Sequence, residues 1–577
     1  MGVKTKNIDI ATNIKLLRSF LKEKKLDAFF INDTDMYLNE YVPLESTHYH
    51  LLTGFTGTTA KVLIHTDGKI YLFVDGRYHE QADLETDPDL VQVEKCPQTK
   101  TTLGFVFERM EQLGIKNLGV DGLRTQRSLE KKLEEKCTIK YFDDNELQKI
   151  IPLAKTGDLA PVKHLGEKIC GKSTREKVCE LLQEGEAYYV CALDSIAWLT
   201  NARGFHLPYQ STFLSKCFVT RDKLYLFNLE SSHMQHDIRD DFISVEDVGP
   251  DVFNRHLVGI KNKSAPKKVF FDSGAISGAE YRIIEDVFGK EALEDHDDGI
   301  CSFQSLKNPV ELEIMEKSFL RSNLAIAKTI RWIKESIKKG DKISEFDFYE
   351  KANDFYKMEG AVCQSFHTIA AVGANSSIIH WTSSSKDVVI QDGDMLLLDS
   401  GAHYEEGYST DATRGFLSGG NPEDKQIEIY TIALKGILNA QTAVFPEGSL
   451  GCAIDILART PINKAGYNYN HGTGHGIGIN VHEGGAGFTY RNVSPIKPGQ
   501  VVSIEPGIYV PGYGGVRHEN IVVVENHPSM EGMLCFKNLV YVGFDEELID
   551  RSMLSKEECE IFDDYQAECK KRGTNIN

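Results

Sequence analysis

Three apolar segments in the last third of the chain each carry carboxylates, and this limits what that region can fold into. "MLLLDSGAHYEEGYSTDATRGF" places Asp399 at the end of a strand-like run and Asp411 on a returning one; "VVSIEPGIYV" ends its run with Glu505, and "GGVRHENIVVVEN" opens another with Glu519. An ionised carboxylate beside an apolar strand is costly unless it is paired or holds a metal. The nearby cations are few, chiefly Arg414 and Arg517. Taken singly, each acid reads as an edge-strand residue. With His475 they form a set of one imidazole and four carboxylates, which suits two divalent ions bridged by shared carboxylates.

His475 belongs to "HGTGHGIGINVHEGGAG", where His471, His475 and His482 stand among closely spaced glycines. Glycine lets backbone approach a ligand or take positive φ, and histidine offers a neutral nitrogen to a metal or a proton. Phosphate loops also use glycine, but they need a following Lys-Ser/Thr or a strand-to-helix GxGxxG context, and neither is present. Each histidine alone reads as an ordinary surface or core residue; only partners elsewhere in the chain change that.

The chain has 577 residues, too many for one core, and reads as three domains. "LLTGFTGTTAKVLIHTDGKIYLFVDGR" and "WLTNARGFHLPYQSTFLSKCFVTRDKLYLFNLE" share an L-T element, a glycine, a strand, a polar turn and a second strand, about 150 residues apart, which predicts a duplicated α/β domain. After Pro309, Phe319, Ile326, Ile330 and Ile333 fall on one helical face and open the last domain. The expected domains are 1–155, 156–304 and 305–577, the last an α+β domain on antiparallel sheet.

The net charge of −20, with dispersed Lys and Arg, argues against nucleic acid or an anionic membrane as partner. No signal-length apolar run opens the chain, no stretch of eighteen apolar residues occurs, and Lys6 breaks a myristoylation pattern. Twelve cysteines without a CxxC pair fit reduced thiols and a cytoplasmic location, leaving carboxylates and imidazoles as metal ligands.

The order Asp399, Asp411, His475, Glu505, Glu519, carried in D-S-G…T-D-x-T-R, H-G-x-G-H-G-x-G, E-P-G-x-Y and R-x-E-N, resembles the dinuclear-metal pita-bread peptidases. That family includes methionine aminopeptidase, prolidase and X-prolyl aminopeptidase. "DGRY" (75–78), "IAWLTNARG" (196–204) and the three-domain length resemble the long cytosolic X-prolyl aminopeptidases. The resemblance implies a C-terminal pita-bread metallopeptidase domain preceded by two similar creatinase-like α/β domains, in a homodimer. It implies cleavage between an N-terminal residue and a penultimate proline by water held between two divalent ions, usually Mn2+.

Carried over position by position, the resemblance implies that Asp411 and Glu519 bridge both ions, Asp399 chelates one, and His475 and Glu505 complete the other. Glu505 also takes and passes the proton. His380 and His482 match histidines that bind substrate and stabilise the tetrahedral oxyanion. Tyr509 and Arg517 match residues around the proline pocket, with Val481, His482 and Tyr509 able to wall the ring. Arg517 reads equally as a structural partner of Glu519, and His380 alone as a buried structural histidine. His471 has a motif position but no derivable role.

Two departures stand out. Asp399 and Asp411 are twelve positions apart, against eleven in the family, which would turn one aspartate away unless a bulge or longer turn near Gly407 absorbs the extra residue. His518 replaces an aliphatic residue and reads as either tuning the site or lying at the surface. The rival readings are a prolidase acting on X-Pro dipeptides, a creatinase-like hydrolase without metals, and a non-catalytic peptide-binding protein of the same fold. The complete ligand set argues against the last two, and the second N-terminal domain against the first.

Overall fold

The computed structural model describes residues 8–97, 99–154, 157, 159–228, 238–296 and 299–577. Its described residues form two compact units, one of residues 8–208 and 212–300, the other of residues 209–211 and 301–577.

The first unit contains two six-stranded sheets of the same design. In one, the strand order is Val91–Lys95, Ile70–Val74, Lys61–His65, Ala28–Ile31, Asn117–Asp121, Thr138–Phe142. In the other it is Ile243–Asp247, Leu224–Asn228, Lys216–Thr220, Glu186–Val190, Lys268–Phe271, Leu293–Asp295. In each, the central strand pairs antiparallel with the hairpin and parallel with the strand on its other side, and both outer pairs are parallel. The two hairpins read in the sequence, 61–74 and 216–228, occupy equivalent places. Helices cover the sheets because runs such as Phe29, Val62, Ile64 and Leu72 are apolar and fully buried on one face, while Phe30, Leu63 and Phe73 fill the other.

In the second unit, Asn308 caps the 31-residue helix Pro309–Lys339 in a capping box with Glu311, and Pro309 occupies the first turn. Phe319, Ile326, Ile330 and Ile333 are buried on its inner face, as their spacing predicts. The described strand pairs of this unit are all antiparallel. A three-stranded sheet orders Ile369–Val372, Met395–Ser400 and Ala412–Leu417, and a six-stranded sheet contains Gly474–Gly476, Val501–Ile504 and Asn520–Asn526.

The extra residue in the aspartate hairpin does not shift the strands. Asp399 pairs with Thr413 and Ser400 with Ala412; further out, the Thr410 amide donates to the Ala402 carbonyl and His403 bridges Ser409. The register is continuous, so Asp399 and Asp411 lie on one face. The added length sits in the turn after His403, closed by the Gly407 amide donating to the Tyr404 carbonyl with Gly407 at φ 71°. This is the longer turn, not a bulge.

Gly474 is required by close packing: a Cβ there would lie 1.8 Å from the Ser503 carbonyl oxygen. Gly474→Ala should therefore destabilise the second unit by about 1–3 kcal/mol, read as an earlier denaturant midpoint in tryptophan fluorescence, with secondary structure at zero denaturant unchanged. An unshifted midpoint would show that the strand contact tolerates a side chain.

Candidate metal centre

The strands of the second unit bring Asp411, His475 and Glu519 together. Each offers a ligand atom, and the three atoms lie within 4.8 Å of one another. His475 Nε2 is 3.5 Å from Asp411 Oδ2 and 3.6 Å from Glu505 Oε1, which places Glu505 at the same cluster. Asp399 joins it from the neighbouring strand. Its Oδ2 accepts from Arg517 Nη2 at 2.5 Å, and its charge, with that of Glu505, acts on Asp411.

The electrostatics of this pocket are unfavourable without a cation. Burial, reinforced by the charges of Asp399 and Glu505, raises Asp411 well above the ordinary carboxylate range. Burial and the charges of Asp411, Glu505 and Asp399 do the same to Glu519. Glu505 is also raised by burial, with His475 and Arg517 opposing. Among the described residues, Asp399 Oδ1, Asp411 Oδ1 and Glu519 Oε1 are buried oxygens without a hydrogen-bond partner. Buried, unpartnered carboxylate oxygens around an imidazole are the donor set a hard divalent ion requires. The residues present fit such ions.

Around the cluster, orientation comes from short-range hydrogen bonds. The His475 amide donates to Ser503 Oγ at 2.9 Å, and His475 Nδ1 lies 3.1 Å from the Gly476 carbonyl, directing Nε2 inward. Thr413 Oγ1 donates to Glu519 Oε2 at 2.8 Å and receives Arg517 Nε at 3.1 Å. Arg517 thus pairs with Asp399 rather than Glu519, which corrects the reading of it as Glu519's partner. Its Nη1 donates to the Tyr509 hydroxyl at 2.8 Å, and His471 Nε2 meets the same hydroxyl at 2.9 Å. Burial, with Glu505 and Asp399 near, pushes Tyr509 up to about 12 against the pull of Arg517. His471 therefore has a place: it ends a chain running from Asp399 through Arg517 and Tyr509.

The remaining candidates fall around this centre. The His482 ring stands edge-on to His475, centroids 4.4 Å apart. His380 is half-buried rather than sealed in the core, and the preceding Ile379 carbonyl accepts from Arg517 Nη2 at 3.4 Å. Val481 is buried, whereas Tyr509 keeps some exposure. His518 is neither surface nor cavity residue. Its ring is fully buried, edge-on to Tyr430 and Phe544 at 4.3 and 5.2 Å, and burial beside Arg414 holds it neutral, down to about 3.

Sequence reasoning missed Glu345. Fully buried, it accepts from the Val372 amide at 3.0 Å, Asn375 Nδ2 at 2.9 Å and the Ser385 amide at 3.1 Å, closing the segment that carries His380. Its place in the first turn after Ser344 reads as an ordinary helix-start acid, so nothing local reveals it.

A buried carboxylate–imidazole centre on antiparallel sheet, in a chain with two duplicated α/β domains, defines a metal-dependent hydrolase. The family model for metallopeptidase family M24 matches residues 313–526, and that for its C-terminal region residues 532–574. Creatinase/prolidase N-terminal domain models match residues 13–153 and 154–311. A probable Xaa-Pro aminopeptidase P of Laccaria bicolor is 31% identical over 98% of this chain and 90% of its own; that of Tuber melanosporum is 30% identical over 97% and 95%. The crystal structure of X-prolyl aminopeptidase from Caenorhabditis elegans, described as a cytosolic enzyme with a di-nuclear active site, superposes with a TM-score of 0.87 at 25% identity, covering 98% of this chain and 96% of that one. The prolidase of Pyrococcus horikoshii covers 65% of this chain and 99% of its own, with a TM-score of 0.52 at 25% identity. The chain belongs to the X-prolyl aminopeptidase (aminopeptidase P) family of M24 metallopeptidases.

Because folding raises Asp411 and Glu519 above their unfolded values, their contribution to stability is fully present below the ordinary carboxylate range. It is lost as pH rises through the elevated values. Metal-free protein should thus lose more thermal stability between about pH 5 and 8 than metal-free Glu519→Gln, and the Tm gain on adding Mn2+ should grow over the same window. A gain that shrinks as pH rises would exclude this cluster as the binding site.

Proposed function

We propose that the chain releases the first residue from peptides whose second residue is proline, using two divalent metal ions, manganese in the cell, held by Asp399, Asp411, His475, Glu505 and Glu519. The convergence of Asp411, His475 and Glu519 ligand atoms within 4.8 Å, ringed by unpartnered carboxylate oxygens, carries this reading. Oxygen-rich ligation favours manganese over softer metals. Such ions, when bound, supply the Lewis acidity that lets water act as a nucleophile at neutral pH.

The chain's own residues do the rest. Glu505, whose Oε1 receives Ser503 Oγ at 3.3 Å, accepts the proton of the attacking water and returns it to the proline nitrogen as the bond breaks. His380 and His482 donate to the carbonyl oxygen as the carbon becomes tetrahedral and the oxygen takes up negative charge. An X-Pro bond has no N–H for a protease to align, so the site must grip the ring; Val481, His482 and Tyr509 wall it, and Arg517 fixes Tyr509 through the 2.8 Å contact. Asp399, held by Arg517, would help to hold an ion able to take the substrate's free amine, which would restrict cleavage to the first residue. Whole-length likeness to Xaa-Pro aminopeptidases P, both N-terminal domains included, favours longer peptides over the dipeptides a prolidase takes. We place the enzyme in the cytosol as a homodimer. The location is supported by the cytosolic worm relative and by cysteines that form no disulfide among the described residues, the dimer by family resemblance. No described helix is long and apolar enough to cross a membrane.

On a panel of tri- to nonapeptides with Pro or Ala at position two, only the Pro peptides should be cleaved; equal cleavage of both would identify a broad aminopeptidase, and cleavage of dipeptides alone a prolidase. His380→Ala should lower kcat roughly a hundred- to a thousandfold with metal content unchanged by elemental analysis. Glu505→Ala should lose both activity and metal. Full metal content in Glu505→Ala would remove it from the ligand set.

A further inference from the structure

The carboxylate next to His482 has no part in the chemistry just described. Glu483 begins the strand Glu483–Phe488 and is buried at 4% exposure. Its Oε1 is ion-paired with the buried Lys307 ammonium, and its Oε2 accepts from Gln304 Nε2 at 2.8 Å and from the Ile479 amide at 3.2 Å. The segment preceding the long helix therefore reaches under the glycine-rich loop and grips it from below. The fit leaves no room to spare: a Cβ on Gly478 would sit 2.0 Å from Glu483 Oε2.

The grip acts on the stretch that presents Val481 and His482. The Glu483 carboxylate holds the Ile479 amide, four residues back, so the chain from Ile479 to Glu483 is closed at both ends by one side chain. The outer edge of this stretch is held by Ser409, whose amide donates to the Gly478 carbonyl at 2.7 Å and whose Oγ donates to the Ile479 carbonyl at 3.1 Å. Glu483 is anchored to Lys307 and to the Ile479 amide, and the ring of His482, the residue immediately before it, meets His475.

We propose that Glu483, seated by Lys307 and Gln304, is a positioning residue that sets the aim of His482. The inference rests on the functional reading above, in which His482 faces the scissile carbonyl. A buried ion pair is a poor source of stability, and replacing both partners with apolar residues of similar volume is often neutral. Removing one partner strands a buried charge. The pair thus lends itself to a separation of stability from aim.

Glu483→Gln and Lys307→Met alone should each lower Tm. The double variant Lys307→Met/Glu483→Leu should recover most of the Tm, because no charge is stranded, and should keep two metals per chain. Its kcat on an X-Pro tripeptide should nevertheless stay 10- to 100-fold below wild type with a smaller change in KM, because the Ile479 amide has lost its acceptor and His482 its aim. Lys307→Arg, which keeps the charge, should restore a large part of kcat relative to Lys307→Met. A double variant with wild-type Tm, metal content and kcat overturns the proposal while leaving the functional reading intact. A metal-loaded wild type with no X-Pro activity overturns that reading and this proposal with it. If the double variant fails to fold, Gln304→Leu provides the second measurement: it removes an uncharged donor to Glu483 Oε2 and strands no charge, and an unchanged kcat there overturns the proposal.

Discussion

Like charges held close together in a buried pocket are what the second unit is built to tolerate. Asp411 and Glu519 are buried beside Asp399 and Glu505, and burial together with the neighbouring carboxylate charges raises the proton affinity of both. Among side chains, the main counter-charge within reach is Arg517, which is committed to Asp399 and Tyr509. A fold that did not hold these carboxylates rigidly would relax by turning one of them to water. The strands prevent that, and a cation then finds its ligands already assembled.

Arg414 shows how the rigidity is obtained. It lies on the strand that follows Asp411, with its side chain on the face away from the cluster, and is fully buried. Its guanidinium donates to the carbonyls of Thr413, Glu519 and Val542, to Asn520 Oδ1 and to the Tyr565 hydroxyl. One fork of donors thereby ties the backbone of the aspartate hairpin to the backbone bearing Glu519 and to the C-terminal helix Lys556–Arg572. The Phe544 ring lies under the same guanidinium, and His518 stacks edge-on to that ring. The aromatic layer behind the site explains why a histidine can replace an aliphatic residue at position 518: it is accepted as a neutral ring in a hydrophobic wall.

Much of this was legible beforehand. The apolar runs ending in Asp399 and Glu505 announced buried strands with acids at their ends, and the paired hairpins announced the duplication that the two sheets repeat strand for strand. The period of Phe319, Ile326, Ile330 and Ile333 marked the buried face of the long helix. Less legible were the side chains that act at a distance from their sequence neighbours. Glu345 reads locally as a helix-start acid, and no sequence signal singles out Glu483; each gains meaning from donors dozens to more than a hundred residues away.

By itself, the sequence determined which residue types would meet: alternation and periodicity are local properties, and a carboxylate at the end of an apolar strand constrains its partners wherever they come from. Only the tertiary structure decided how the meeting is arranged. The extra residue between Asp399 and Asp411 could have rotated one of them away, and it did not because the turn took up the length while the register stayed intact. Arg517 could have paired with Glu519, two residues along the chain, and instead reached Asp399 on a strand of another sheet. His471, without a role in the motif, found one at the end of the Tyr509–Arg517 chain. In each case the choice lay between partners of equal chemistry, and strand register with side-chain reach, which are properties of the assembled fold, selected among them.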